Sequence, residues 1–301
     1  MEPAPVETLD ALPPGAVVAV GTFDGVHLGH RSLLRAMADF AAAHGRPAWV
    51  LTFAGSPLTL LDPAHAPGLL MDREAILRQL RLTVPDAHVI VQPFAPAFAA
   101  LPADAFADAL RGAVVFCGED WRFGARAQGT PDFLRARGLD VHVVPYAHWR
   151  GERVSSTRIR AALAAGALDA AAAMLGRPWA FTGRVVHGRG LAGPTFGAPT
   201  ANLPYVGRAG ERMAPLARGV YRAQALLHEI AWPALVNFGV APSLKGEPAP
   251  LFEAHLLGAD LDLYDANLTL SLDAPLLRPE RKFPTLDALR AQIHADLEAC
   301  R

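Results

Sequence analysis

The chain has little cysteine and almost no lysine. Its 301 residues include two cysteines, Cys117 and Cys300. That is too few for a disulfide framework or a metal cage, so a reducing, cytoplasmic setting is expected. Lys245 and Lys282 are the only lysines, and nearly all the positive charge is arginine. No sign of charge dominates. The 28 basic and 29 acidic residues give a net charge of −1, which argues against a general electrostatic grip on nucleic acid or on an anionic membrane. The opening stretch, MEPAPVETLDALPPG, lacks the basic start and apolar core of a signal peptide. The most apolar long stretch, residues 161–175, is alanine-rich, interrupted by Asp169 and too short to span a bilayer. What the chain does have is apolar material, 51% of its residues against 19% charged, enough for one or two packed cores. On a prior of roughly 150 residues per domain, its length suits two. These features point to a soluble globular protein with no nucleic-acid and no membrane partner, and they leave a homo-oligomer open.

The first half alternates short apolar runs with helical patterns. Residues 16–20, 48–53, 88–92, 113–117 and 141–145 read as strands, mostly buried. Helices are expected over 31–44, 73–82 and 103–110, and along 161–175. Strands of this kind separated by helices predict an α/β domain with a parallel sheet. Ligands of such sheets sit at the C-terminal ends of the strands, which singles out the turns after Val20 and Cys117. Beyond Gly176, Arg177 and Pro178 the pattern shifts to short alternating segments at 180–186, 219–227, 232–238, 251–257 and 267–272. These predict an antiparallel barrel or sandwich. A terminal helix is expected over 285–299. The domain boundary is placed near residue 178, giving domains 1–178 and 179–301.

Residues 21–30, GTFDGVHLGH, leave the first strand and enter the first helix. Gly21 and Gly29 permit tight turning and close approach, with Phe23 and Asp24 in the turn between them. Free N–H groups at the helix start favour phosphate. His27 and His30 can both face that ligand and stabilise charge on an α-phosphorus and a departing pyrophosphate. This is the HxGH arrangement of nucleotidyl transferases. A helix cap and a surface histidine pair are the plainer alternative. Two further segments are candidates for the same site. In GEDWRFG, residues 118–124, Asp120 could bind a ribose, a metal ion or a ring nitrogen, while Trp121 and Phe123 offer flat surfaces for a ring system. In VSSTRIR, residues 154–160, Ser155, Ser156 and Thr157 offer a second phosphate cradle, and Arg160 can neutralise the β- and γ-phosphates. An aromatic core plug and a serine N-cap are the structural alternatives.

Together these three segments resemble the bacterial bifunctional riboflavin kinase/FAD synthetase family. The resemblance implies a Rossmann-like nucleotidyltransferase domain that transfers AMP from ATP to FMN, giving FAD and pyrophosphate. Trp121 stands where that family more often has phenylalanine. In TFAGSP, residues 52–57, the usual second proline and a histidine are missing.

The second half carries its own constellation. Gly183 to Gly188 and the loop through Gly197 to Pro199 offer backbone amides for phosphate. Thr200 and Asn202, in the tetrapeptide PTAN, offer oxygen ligands for Mg²⁺. Glu253 shares a strand face with Leu251 and His255, opposite Phe252 and Ala254, and is either paired structurally or poised as a base. Glycine loop, metal ligand and base are what phosphoryl transfer to an alcohol requires. The resemblance extends here to the riboflavin kinase domain, including Asn237-Phe238-Gly239 and the segment 277–283. It implies a barrel with a terminal helix, Mg²⁺–ATP on Thr200 and Asn202, and Glu253 deprotonating the ribityl hydroxyl. By the same resemblance Gly183, Gly188, Gly197, Pro199 and Asn237 contact the nucleotide. Departures are Pro194 for arginine, Ala198 for an aromatic, Ala241 for arginine, Gly258-Ala259 for aspartate-phenylalanine, and Asp265 for glycine. The leading expectation is a bifunctional enzyme taking riboflavin, FMN and ATP. Its alternatives are an FMN adenylyltransferase with an inactive barrel and a non-catalytic flavin-binding or regulatory protein.

Overall fold

The computed structural model describes residues 8–54, 57–187, 200–228, 230–241, 249–259 and 261–281, and then scattered positions from 283 to 296. By packing, the chain divides into two compact units. One holds the residues up to 67 and Arg73–Ser155; the other holds Gly68–Asp72 and the residues from 156 onward.

The first unit is built on five parallel strands. Strand β1 (Val17–Val20) is followed by α1 (Leu28–Ala43), β2 (Ala48–Ala54), the short α2 (Pro57–Leu61), α3 (Arg73–Thr83) and β3 (His88–Pro93). Then come α4 (Pro96–Ala99), α5 (Ala103–Ala109), β4 (Val114–Gly118), α6 (Pro131–Ala136) and β5 (Asp140–Val144). A two-stranded hairpin, β6 (His148–Trp149) and β7 (Glu152–Arg153), completes the unit. The sheet order is β3-β2-β1-β4-β5, and each pairing is parallel. All four residues of β1 are buried because the strand is central. Its alternate residues serve two cores: Val18 and Val20 join a cluster with Phe106, Leu110 and Phe123, and the α1 residues Leu34 and Met37 are fully buried as well. The order reverses at β1/β4, so the turns leaving these two strands open at the switch point where such sheets take ligands.

In the second unit, α7 (Ser156–Ala164) and α8 (Leu168–Leu175) precede seven strands. The single helix expected over 161–175 is two helices, because Gly166 takes φ +73° between them, the left-handed conformation that ends a helix. Strands β8 (Trp179–Arg184), β9 (Thr200–Pro204), β10 (Gly219–Leu227), β11 (Ile230–Ala241), β12 (Ala249–Leu256), β13 (Asn267–Leu272) and β14 (Leu276–Pro279) are all antiparallel to their partners. The path runs β8-β13-β10-β11-β12-β9, with β14 on β10. The Val186 N–H donates to the Asn202 carbonyl at 2.8 Å, which brings the two ends of the path together as a barrel. Phe181, Phe252 and Phe238 fill its interior with ring centroids 4.7 to 5.3 Å apart. The segment Gly68–Asp72 is pinned into this unit. Leu69 exchanges backbone hydrogen bonds with Arg212 and Ala214, both at 2.8 Å, and the buried Asp72 carboxylate takes Arg208 bidentately at 2.6 and 2.8 Å. Of the expected terminal helix 285–299, the described residues are Thr285, in a bend, and 287–288, 291–292 and 295–296, all helical.

Candidate functional site

The turn from β1 into α1 is backbone-strained and tightly enclosed. Phe23 and Val26 take φ of 50° and 38°, left-handed values that cost roughly 1–3 kcal/mol apiece for residues of this kind. Both side chains are fully buried, and the Val26 N–H donates to the Phe23 carbonyl at 2.9 Å. Packing therefore holds the turn. Asp24 is buried within it.

Helix α1 starts at Leu28, three residues before the sequence places it, because His27 is its N-cap. The His27 Nδ1 accepts the His30 backbone N–H at 3.3 Å. A ring nitrogen that accepts carries no proton, so the neutral imidazole is protonated on Nε2. The cap and the ligand role are thus compatible: capping fixes the tautomer. The His30 ring stacks on that of His27, with centroids 3.6 Å apart and planes 14° apart, and meets Phe23 edge-on at 5.4 Å. Part of His30 reaches solvent, but its Nδ1 is enclosed without a hydrogen-bond partner among the described residues. Burial first, then the neighbouring His27, hold its pKa well below the ordinary 6.5, so the ring is neutral at pH 7. Gly29 is required by closeness. A Cβ there would lie 3.2 Å from Cε1 and 3.3 Å from Nδ1 of His27.

A cavity of about 1140 Å³ opens on the same unit. Phe53, Phe94, Phe98, Phe106, Trp121 and Phe123 wall it, and Thr22 of the HxGH turn and Asp120 also line it. Trp121 and Phe123 stack at 4.7 Å, while Phe123 also packs into the core, so it serves as both wall and plug. Asp120 is not a free carboxylate: its Oδ2 accepts from Arg153 Nη2 at 2.7 Å. Partial burial pushes its pKa up, but the hydrogen bond and charge of Arg153, with a hydrogen bond from Tyr146, outweigh this and leave it below the ordinary value. Ser155 ends the first unit, and Ser156, Thr157 and Arg160 open the second. There the Arg160 Nε donates to the Gly68 carbonyl at 2.7 Å.

In the barrel, register places one polar row across three strands. Asn202 of β9 pairs with Glu253 of β12, and Glu253 pairs with Asn237 of β11. Directly paired residues share a face, and this face is the outer one, since Ala201, Leu203, Phe252 and Ala254 are buried on the other. The Asn237 amide donates to Glu253 Oε2 at 3.2 Å. Thr200 lies two residues from Asn202, hence on the same face, opposite His255. Burial lowers the His255 pKa, so that imidazole adds no charge at pH 7. Gly183 sits buried in β8, where a Cβ would lie 2.8 Å from the Phe181 ring, so packing accounts for it. Gly188, Gly197 and Pro199, with Pro194 and Ala198, lie outside the described residues. Asp265 takes φ 63°, which explains why a glycine suits that position.

Sequence reasoning missed most of the cavity wall. Phe53, Phe94, Phe98 and Phe106 come from β2, the turn after β3, α4 and α5, with no shared spacing. The one available signal was the aromatic density of the short stretch 94–106.

Two family models cover the chain: FAD synthetase over residues 10–158 and riboflavin kinase over residues 175–301. A bifunctional riboflavin kinase/FMN adenylyltransferase of Pseudomonas fluorescens is 35% identical over 298 residues, covering 95% of this chain and 92% of that relative. Its namesake in Escherichia coli K12 is 37% identical over 294 residues, covering 94% and 90%. A crystal structure described as a macrolide-efflux protein from Streptococcus pneumoniae superposes with a TM-score of 0.82 at 30% identity, covering 97% of this chain and 95% of that one. Among the described residues, no helix is long and apolar enough to cross a membrane.

Proposed function

The chain belongs to the bifunctional riboflavin kinase/FMN adenylyltransferase family, making FMN from riboflavin and FAD from FMN at the expense of ATP, and from that premise we propose where each reaction occurs. Adenylylation takes place in the parallel-sheet unit at His27 and His30, with the flavin ring in the aromatic cavity. Phosphorylation takes place on the outer barrel face at Glu253. We place the functional boundary near residue 178, after the helix-ending Gly176 at φ +70°. The scarcity of cysteine supports a cytoplasmic setting.

The observation that carries the first assignment is that Thr22, within the HxGH turn, lines the aromatic cavity. One flavin-sized, ring-lined space therefore reaches the turn suited to phosphate. In adenylylation an FMN phosphate oxygen attacks the α-phosphorus of ATP and pyrophosphate departs. His27 offers its Nε2–H to the charge building on the phosphates. His30, neutral beside it, avoids the repulsion of two stacked cations while keeping a second donor in place.

In the barrel, Glu253 accepts the proton of the riboflavin 5′-hydroxyl as that oxygen attacks the γ-phosphorus, whose bond to the β,γ-bridging oxygen breaks to release ADP. Asn237 orients the carboxylate from the adjacent strand. Family members use ATP with a divalent metal ion, which supplies charge neutralisation at the phosphates when bound. The hard, neutral oxygens of Thr200 and Asn202, on one face of β9, fit such an ion, and we assign Mg²⁺.

Phe98→Ala tests the cavity assignment. The KM for FMN in FAD formation rises several-fold, while FMN formation from riboflavin is retained. An unchanged KM for FMN overturns it.

A further inference from the structure

We propose that Arg153, with Tyr146, is a positioning residue for FMN adenylylation, fixing the cavity loop 118–124 relative to the HxGH turn. The inference rests on the assignment of the cavity to the flavin.

The hairpin that carries Arg153 is locally determined. Its strands pair His148 with Arg153 and Trp149 with Glu152, and its two turn residues, Arg150 and Gly151, take φ of 54° and 79°. Two successive positive φ values define the type I′ turn that matches hairpin twist. At the base, the Val154 N–H donates to the Ala147 carbonyl at 2.8 Å. Ala147 faces the HxGH turn, its Cβ lying 4.0 Å from where a Cβ on Gly29 would be. The hairpin therefore abuts the histidine turn on one side.

On the other side it grips the cavity loop. The Arg153 guanidinium sits 3.6 Å over the centre of the Tyr146 ring while its Nη2 donates to Asp120 Oδ2 at 2.7 Å. The Tyr146 hydroxyl also favours the charged form of the same carboxylate. Arg153, braced on Tyr146, thus holds Asp120, whose neighbours Trp121 and Phe123 form two of the cavity's rings. The Arg153 and Asp120 side chains are 43% and 61% exposed. An ion pair so open to water contributes little to stability. Its structural consequence is orientation: a guanidinium stacked on a ring and bonded to a carboxylate holds the loop in one place. The Trp121 and Phe123 rings of the wall are thereby set at a fixed distance from the HxGH turn, and alignment of this kind is what an in-line displacement needs.

The experiment is steady-state FAD formation by the full chain, varying FMN and ATP separately, with FMN formation from riboflavin measured on the same preparation as the check of folding. For Arg153→Met we expect the KM for FMN to rise about tenfold and the KM for ATP to stay within about twofold. Arg153→Lys recovers part of the loss, and Tyr146→Phe, which keeps the ring and drops the hydroxyl, gives a smaller rise. Adding Asp120→Asn to Arg153→Met causes no further loss, because both act through one contact. A KM for ATP that rises as far as that for FMN overturns the proposal, as do additive losses in the double variant or an Arg153→Met enzyme unchanged in both constants. Phe98→Ala separates the two readings. If it leaves the KM for FMN unchanged, the cavity assignment falls and this inference with it; if it raises that KM and Arg153→Met does not, only the inference falls.

Discussion

His27 and His30 lie ring on ring, 3.6 Å between centroids and 14° between planes, at the turn where β1 passes into α1. Two imidazoles in that arrangement cannot both be cations at little cost. His30 is the one held neutral, by its burial and then by His27.

A pH dependence follows, with a definite sign. A histidine whose folded pKa is depressed binds fewer protons in the folded than in the unfolded chain below the unfolded value near 6.5. Stability is therefore complete above pH 6.5 and falls as the solution is acidified towards the lower folded pKa, by at most about 1.4 kcal/mol per pH unit from this group. Thermal melts of wild type and His30→Phe at pH 7 and pH 5 measure it. The wild type loses more stability on acidification than the variant. An equal loss in both removes His30 as the cause.

Gly29→Ala separates stability from activity. Alanine favours a helix over glycine by about 1 kcal/mol, so the melting temperature holds or rises. The new Cβ presses on the His27 ring at 3.2–3.3 Å, and FAD formation falls on the order of tenfold, with FMN formation retained. A variant of full FAD-forming activity shows that the His27 ring position is not critical.

Asp265 shows how a left-handed backbone is tolerated. Its φ of 63° suits glycine, and aspartate among the other residues adopts it most readily. Its ion pair with Arg184 at 3.0 Å is exposed on both sides and adds little. Asp265→Gly changes stability by less than about 0.5 kcal/mol, whereas Asp265→Val, β-branched, costs about 1–2 kcal/mol. Denaturant unfolding of both variants checks the pair, and equal effects contradict the backbone argument.

Burial, partly offset by the charge of Arg135, pushes the Cys117 thiol up to about 11. Since the thiolate is the nucleophile, Cys117 remains unmodified by an alkylating reagent at pH 8 in the native protein and is labelled once urea unfolds it. Peptide mapping by mass spectrometry reads both states. Stoichiometric native labelling contradicts the buried placement.

These properties were legible in the sequence to different depths. The buried runs that became β1, β2 and β4 stood out because a central parallel strand is apolar on both faces, and the histidine turn stood out because its residues are consecutive. Glu253 was legible by its period-two face. The Asn202–Glu253–Asn237 row was not, because strand register lies outside local spacing. Nor was the cavity wall, assembled from Phe53, Phe94, Phe98 and Phe106 on separate elements. The Arg150-Gly151 turn lacks the asparagine or aspartate that signals a type I′ hairpin, so the positions of Tyr146 and Arg153 were hidden. The alanine run masked the helix break at Gly166, although glycine there was itself the signal. The pairing of Leu69 with Arg212 and Ala214 joins residues far apart in sequence, which no window on the chain detects.

The most direct test of two separate sites is a chromatographic time course of riboflavin, FMN and FAD with ATP and Mg²⁺, run for wild type, His30→Ala and Glu253→Gln, fed with riboflavin or with FMN. Wild type converts riboflavin to FMN and then to FAD. His30→Ala accumulates FMN and makes little FAD from either feed, while Glu253→Gln makes FAD from supplied FMN but no FMN from riboflavin. Loss of both products in either folded variant, or of neither, contradicts the assignment of one reaction to each unit.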